Sequence, residues 1–143
     1  MDEALANDVQ RFVLAQENAN SFQTAVDELT AGKKDSHWMW WVFPQLRSLG
    51  SSERAVYYGL ADAEEARAYL ANETLAERLL HVTKIVLDLK AANIVDVFGD
   101  VDARKLQASW TLFEAVADNK VPFAEGLDFY FNGERHSATL AEL

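Results

Sequence analysis

Residues 72–89 read NETLAERLLHVTKIVLDL, and this stretch decides the fold class. Its large apolar residues recur at steps of three and four, which is the spacing of one face of an α-helix. These residues are Leu75, Leu79, Val82, Val86 and Leu89. Asn72 stands at the N-cap position just before them. The pattern predicts the longest helix of the chain, with one buried face.

Later in the chain, a second strong helix is predicted over residues 102–117. It is capped by Asp102 and carries Leu106, Trp110, Phe113 and Ala117 on one face. Shorter apolar stripes predict helices over residues 8–17, 21–29, 52–58, 62–70, 94–98 and 122–131. Ser52, Asp62 and Asn93 are placed to cap three of these helices, and Ser137 to cap a last turn. Gly32 is placed to end the helix predicted over residues 21–29. No stretch alternates long enough for a paired strand. We therefore predict an all-α fold, a single compact multihelical globule of about eight or nine short helices.

The composition predicts one globular domain spanning residues 1–143, with residues 1–7 frayed. Half of the 143 residues are hydrophobic and a quarter are charged, which is typical of folded domains and not of disordered chains. The chain has no cysteine, so disulfides, thiolate metal sites and cysteine catalysis are excluded. The acidic start, Met1 to Ala4, does not resemble a signal peptide, and no apolar run is long enough to span a bilayer. We expect an acidic, soluble, cytoplasmic protein without a membrane partner.

Charge and motif content restrict the partners further. A formal net charge of −10 repels phosphate backbones, so nucleic acid is not predicted as a partner. No glycine-rich phosphate loop is present, and His37, His81 and His136 lack metal-ligand spacing. Asp96, Asp100 and Asp102 lack the glycine and the terminal glutamate of a calcium loop, and are interpreted as caps and solvated surface. Neither a metal nor a cofactor is predicted.

Residues 32–45, GKKDSHWMWWVFPQ, form the unusual part of the chain, here called the tryptophan segment. Ser36 is a good N-cap, which predicts a short helix that begins at His37 and is ended by Pro44. On such a helix Trp38 and Trp41 share one face. Lys33 and Lys34 come just before its N-terminus, where free N–H groups and the helix dipole favour an anion.

Two interpretations of this segment stay open. The tryptophans can be core residues, because large aromatic side chains dominate buried surface. Alternatively, a tryptophan stacks on a planar ligand and His37 acts as a general acid or base. Gln45 at the end of the segment is a further candidate ligand-binding residue. So are Arg54, which follows the 50–52 loop, and Lys105 with Ser109 one turn apart on the helix after Asp102. Whether these groups converge in space depends on the packing.

The motif from Ser36 to Leu46 also resembles the signature of a bacterial family catalogued as domain-of-unknown-function family eighteen-ten, some of whose members carry a calpastatin label. The resemblance extends through residues 50–52, 66–70, 98–106 and 111–113. It implies an all-helical fold, as in a mycobacterial member, and no established activity. The family usually has a basic or small residue near Asp35, an aliphatic residue or phenylalanine at Trp41, and methionine at Trp110.

The prediction for function is a site for an anionic, nucleotide-like small molecule. It would be lined by Lys33, Lys34, His37, Trp38, Trp41, Gln45, Arg54, Lys105 and Ser109, with His37 as the catalytic group if the site is an enzyme's. Whether it catalyses a reaction stays open at this point. The alternative is a non-enzymatic module that docks another protein. The oligomeric state does not follow from the sequence.

Overall fold

The computed structural model describes residues 8–143, and the prediction that residues 1–7 are frayed lies outside this range. The helices are α1 Gln10–Glu17, α2 Ser21–Thr30, α3 Met39–Val42, α4 Glu53–Tyr57, α5 Ala63–Ala71, α6 Glu73–Leu89, α7 Ile94–Phe98, α8 Asp100–Val116, α9 Val121–Tyr130 and α10 Ser137–Ala141. Short 3₁₀ turns occupy Asn18–Asn20 and Arg47–Leu49. The described residues contain no strand beyond one isolated bridge between Leu46 and Leu60. The predicted all-α class is confirmed.

Four of the ten helix starts within residues 8–143 are set by the predicted local caps. The side chains of Ser52, Asp62, Asn72 and Asn93 each accept a hydrogen bond from a backbone N–H in the first turn of the helix that follows. At the end of α2, Gly32 has a φ of +82°, and Lys33 N–H donates to the Glu28 carbonyl at 3.0 Å. This is the glycine-terminated helix end that the sequence predicted.

Three predicted helix starts are wrong, and other groups explain each of them. Ser36 does not cap α3, because α3 begins only at Met39, without a side-chain cap, and ends before Pro44. The Ser36 amide donates to Glu28 Oε1 at 2.9 Å in the loop before the helix. Asp102 lies inside α8, which begins at Asp100, and its carboxylate pairs with a lysine instead. α10 is capped by His136, whose Nδ1 accepts from Thr139 N–H, and not by Ser137.

The two strong helices form the centre of the molecule. α6 packs against α1, α2, α5 and α9, and α8 packs against α5, α7, α9 and α10. Their predicted apolar faces are buried, including Leu75 and Leu79 in α6 and Leu106 and Phe113 in α8. Burial of these faces is the main term that stabilises the fold. No helix among residues 8–143 is long and apolar enough to cross a lipid bilayer.

Trp110 fills the space between these helices and α9. The residue is fully buried, and its indole N–H donates to Thr83 Oγ1 in α6 at 3.1 Å. The ring stacks on Tyr130, with centroids 6.4 Å apart. A Cβ at Gly126 would lie 2.5 Å from the indole, so the glycine in α9 makes room for the large ring.

A buried ion pair ties α1 to α5 and to the turn between α4 and α5. Arg11 Nη2 lies 3.0 Å from Glu65 Oε1, and the arginine side chain is inaccessible to solvent. The same guanidinium donates to the carbonyls of Asp8, Tyr57 and Gly59. Because every donor direction is used, the pair fixes the position of the turn that follows α4.

Candidate functional site

The tryptophan segment is anchored by a carboxylate that precedes it. Glu28 Oε1 accepts hydrogen bonds from the amides of Asp35 and Ser36, at 2.7 and 2.9 Å, and from the indole N–H of Trp38 at 2.9 Å. Burial would raise the pKa of this carboxyl. The hydrogen bonds from Ser36, Asp35 and Trp38 outweigh that effect and lower the pKa to about 2. Glu28 is therefore ionised near neutral pH, and the loop before α3 is held in one shape.

The three tryptophans around α3 have different environments. Trp38 is buried against Phe43 and Phe98 in the core. Trp41 is half-buried, donates to Ser21 Oγ at 2.9 Å, and packs edge-on against Tyr58. The hydrogen bond and the ring contact of Trp41 join α3 to α2 and to the end of α4, and they stabilise the fold. Trp40 is the tryptophan that faces outward into a cleft.

This cleft has a volume of about 410 Å³ and lies between the tryptophan segment and the start of α8. Its walls are Lys34, His37, Met39 and Trp40 on one side and residues 98–102 with Lys105 on the other. Gly99 has a φ of +82°, a conformation that glycine adopts without strain, and it turns the chain directly from α7 into α8. No side chain caps α8 at this point. The first turn of α8 is thus part of the cleft wall.

Cationic groups gather around the Trp40 ring. Lys105 Nζ lies 5.2 Å from the ring centroid and Arg54 Cζ lies 5.0 Å from it. Both distances fall within the range of cation–π attraction. Arg54 is exposed and Lys105 is partly exposed, so both can reach a bound molecule.

Lys34 is held more tightly than these two cations. Its ammonium lies 2.8 Å from Asp102 Oδ2 and donates to the Ser36 carbonyl at 2.6 Å, and its side chain is only 6% exposed. Asp102 Oδ1 also lies 4.0 Å from Lys105 Nζ. Asp102 therefore sits between the two lysines as an internal counterion.

His37 and Gln45 occupy two different parts of this region. His37 is exposed on the cleft wall, and its ring makes no hydrogen bond to any residue in the described range 8–143. Gln45 lines a much smaller space beneath Trp40, together with Phe43, Tyr58 and Lys105. Its carbonyl accepts from Leu60 N–H at 2.9 Å, which fixes its position.

Three of the predicted site residues line the cleft together with Trp40: Lys34, His37 and Lys105. Two more lie beside Trp40 without lining the cleft, Gln45 in the smaller space and Arg54 over the ring. The other four, Lys33, Trp38, Trp41 and Ser109, line neither space. Ser109 is fully buried in α8, and its hydroxyl finds no hydrogen-bond partner among the described residues.

Sequence reasoning missed Trp40, Glu28 and the two aspartates of the cleft, Asp100 and Asp102. For Glu28 a signal did exist, because a carboxylate in the last turn of a helix is unfavourable next to the dipole and suggests another partner. The role of Asp102 depends on a lysine 68 positions away and has no local signal. Within residues 8–143, no group of three carboxylates or histidines is arranged to hold a metal ion.

Comparison with known proteins places the chain among uncharacterised relatives. The model of a family described as "Protein of unknown function (DUF1810)" matches residues 6–143. The structure is similar to the crystal structure of the conserved hypothetical protein Rv1873 from Mycobacterium tuberculosis. The two sequences are 43% identical, the match covers 96% of each chain, and the TM-score is 0.92. Among curated proteins, none matches.

Proposed function

Because the chain belongs to this DUF1810 family of proteins of unknown function, we propose a function from its own cleft: the binding of a small anionic, nucleotide-like molecule. The observation that carries the proposal is the convergence of Lys34, His37, Arg54 and Lys105 around the outward-facing Trp40. These groups come from separate parts of the chain. A pocket that joins a few polar groups to an aromatic wall is the usual form of a small-molecule site.

The local charge supports an anionic ligand. The chain as a whole has a formal net charge of −10. The cleft itself is lined by two lysines, Lys34 and Lys105, and two carboxylates, Asp100 and Asp102, and Arg54 adds a third cation beside the Trp40 ring. The region around Trp40 is therefore much less acidic than the molecule as a whole, and its cations would attract a phosphate or carboxylate at short range.

The other groups favour a ligand that is larger than a bare anion. The Trp40 ring offers an apolar surface on which a planar group can stack. Asp100 lines the opposite wall, is exposed, and can accept hydrogen bonds from hydroxyl or amino groups. A ligand with a phosphate, a planar base and a hydroxylated linker would use all three features. Its phosphate would contact the cations, its base the Trp40 ring, and its hydroxyl groups Asp100. In this scheme His37 is the group placed to exchange a proton with the ligand, so catalysis would depend on it.

The test compares three probes: inorganic phosphate, adenosine, and adenosine monophosphate. A ligand that binds only the folded protein raises its melting temperature. We expect the monophosphate to raise it more than either part alone. Lys105→Met should remove most of this shift. The control Arg67→Met removes an exposed cation of α5 that lies outside the cleft, and it should retain the shift.

His37→Ala separates a binding role from a packing role. Because His37 is exposed, the substitution should leave the melting temperature of the free protein unchanged and reduce the ligand-induced shift. An equal loss of stability and of binding would show that the histidine is structural. The absence of any shift with all three probes, and with a wider set of phosphorylated metabolites, would refute the proposal.

A further inference from the structure

A second surface, far from Trp40 in the sequence, is a groove between α6 and α9. Its volume is about 750 Å³. Three of its large apolar side chains are exposed: Leu80 by 43%, Val121 by 57% and Phe129 by 53%. Single exposed apolar residues are ordinary on protein surfaces, but several gathered in one groove mark a place where another molecule packs.

The charged residues of this groove are divided between its two walls. Lys84 and Lys90 belong to the α6 wall, and Glu125 and Asp128 belong to the α9 wall. Asp88 also lies on the α6 wall, where it pairs with Lys84 at 2.9 Å. On the α9 wall Asp128 pairs with Arg135 of the same chain at 3.0 Å, and Lys90 Nζ lies 5.7 Å from the Phe129 ring centroid. The groove thus holds two lysines against three carboxylates and is close to neutral, although the chain carries −10. Two such surfaces can approach each other without the repulsion that the rest of the molecule would impose.

We propose that this groove is the interface of a symmetric dimer of the chain. A two-fold axis parallel to the groove places the α6 wall of each copy opposite the α9 wall of the other, so that lysines meet carboxylates twice. Phe129 is the apolar anchor on each side, since a large exposed aromatic ring supplies most of the area in such contacts. This interface would correspond to the alternative from the sequence, a module that docks another protein. The proposal does not depend on the proposed ligand.

The first test measures molar mass by sedimentation equilibrium over a range of concentrations. The wild-type mass should rise from 16.0 kDa towards twice that value. Phe129→Ser should weaken the association at least tenfold, with the fold checked by circular dichroism. Leu14→Ser is the matched control, because Leu14 is 58% exposed on α1, outside the groove, and its loss should have no effect. A wild-type protein that stays at 16.0 kDa at every concentration, or a Phe129→Ser variant that associates as the wild type does, would overturn the proposal.

A charge exchange then tests the identity of the partner. Lys84→Glu places two acidic groups opposite each other in the dimer, and Glu125→Lys places two basic groups there. Each variant alone should associate more weakly than the wild type. An equimolar mixture should recover association, because each altered residue then faces an opposite charge on the second copy. Failure of the mixture to recover would exclude this pairing of the walls.

Discussion

At the scale of single residues, the molecule depends on a few side chains whose partners are distant in sequence. Trp110 and Gly126 are one such pair, because the glycine has no side chain where the indole needs space. Glu28 is another case, since one of its oxygens accepts three hydrogen bonds from the tryptophan segment. Both arrangements support predictions that changes of one residue can test.

Gly126→Ala should destabilise the protein by about 1–3 kcal/mol, the usual cost of overpacking a well-filled core. The added Cβ would lie 2.5 Å from an indole that its hydrogen bond to Thr83 holds in place. Urea unfolding measures the loss. In a Trp110→Met background the same change should cost less, and an equal cost in both backgrounds would show that the indole is not the obstacle.

Glu28 should contribute stability that depends on pH. Its pKa is lowered from 4.5 to about 2, so the contribution is complete above 4.5 and is lost as the pH falls towards 2. Urea unfolding of wild type and Glu28→Gln across this range should show a steeper acid loss in the wild type. Glu77→Gln is the control, since Glu77 is exposed and accepts no hydrogen bond from the described residues. Parallel curves for wild type and Glu28→Gln would contradict the assignment.

At the scale of helices, the capping groups explain both the successes and the failures of prediction. Ser52, Asp62, Asn72 and Asn93 were predicted correctly because a cap bonds two or three residues ahead, so the signal is local. Ser36 satisfies the same local pattern. It caps no helix, because the chain around Ser36 is a loop held by the Glu28 carboxylate eight residues back, and α3 begins only at Met39.

α10 provides a pH test of an unusual cap. Burial lowers the pKa of His136 below its ordinary value of 6.5, and its neutral Nδ1 accepts from Thr139 N–H. The stability that this cap contributes is complete above 6.5 and is lost as the pH falls through the lowered pKa. NMR chemical shifts of residues 138–141 should report fraying of α10 on acidification. In His136→Asn, where the cap does not titrate, they should stay constant.

At the scale of the whole molecule, the buried Arg11–Glu65 pair holds α1, α5 and the turn after α4 together. Arg11→Met should cost about 3–5 kcal/mol, because the buried Glu65 loses its bidentate partner and keeps only the longer contact with Arg47 Nη2 at 4.0 Å. Arg11→Met combined with Glu65→Gln should cost less, since the amide oxygen can still accept from Ala61 N–H without a charge. Urea unfolding measures the free energy of unfolding of both variants. A double variant that is less stable than the single one would exclude charge burial as the cause.

The cleft shows where prediction from sequence reaches its limit. Lys34, His37, Arg54 and Lys105 were named from local chemistry, since each is a charged or titratable group beside a helix start or an aromatic cluster. Their meeting at Trp40 depends on how α3, α4 and α8 pack, and spacing along the chain does not encode that packing. Which tryptophan faces outward depends on the true start of α3 at Met39, two residues after the start that the Ser36 pattern predicts.

The contacts of Lys34 also bear on two properties of ligand binding, the association rate and the conformational entropy that is lost. Its amide donates to the Val97 carbonyl at 2.8 Å, while its ammonium holds Asp102. One residue thus fastens the loop to both sides of the junction between α7 and α8. The walls of the cleft are rigidly connected before any ligand arrives, so little conformational freedom is lost on binding. The association rate should then be limited by diffusion and not by a conformational change of the protein. Differences in affinity between ligands should come from the dissociation rate.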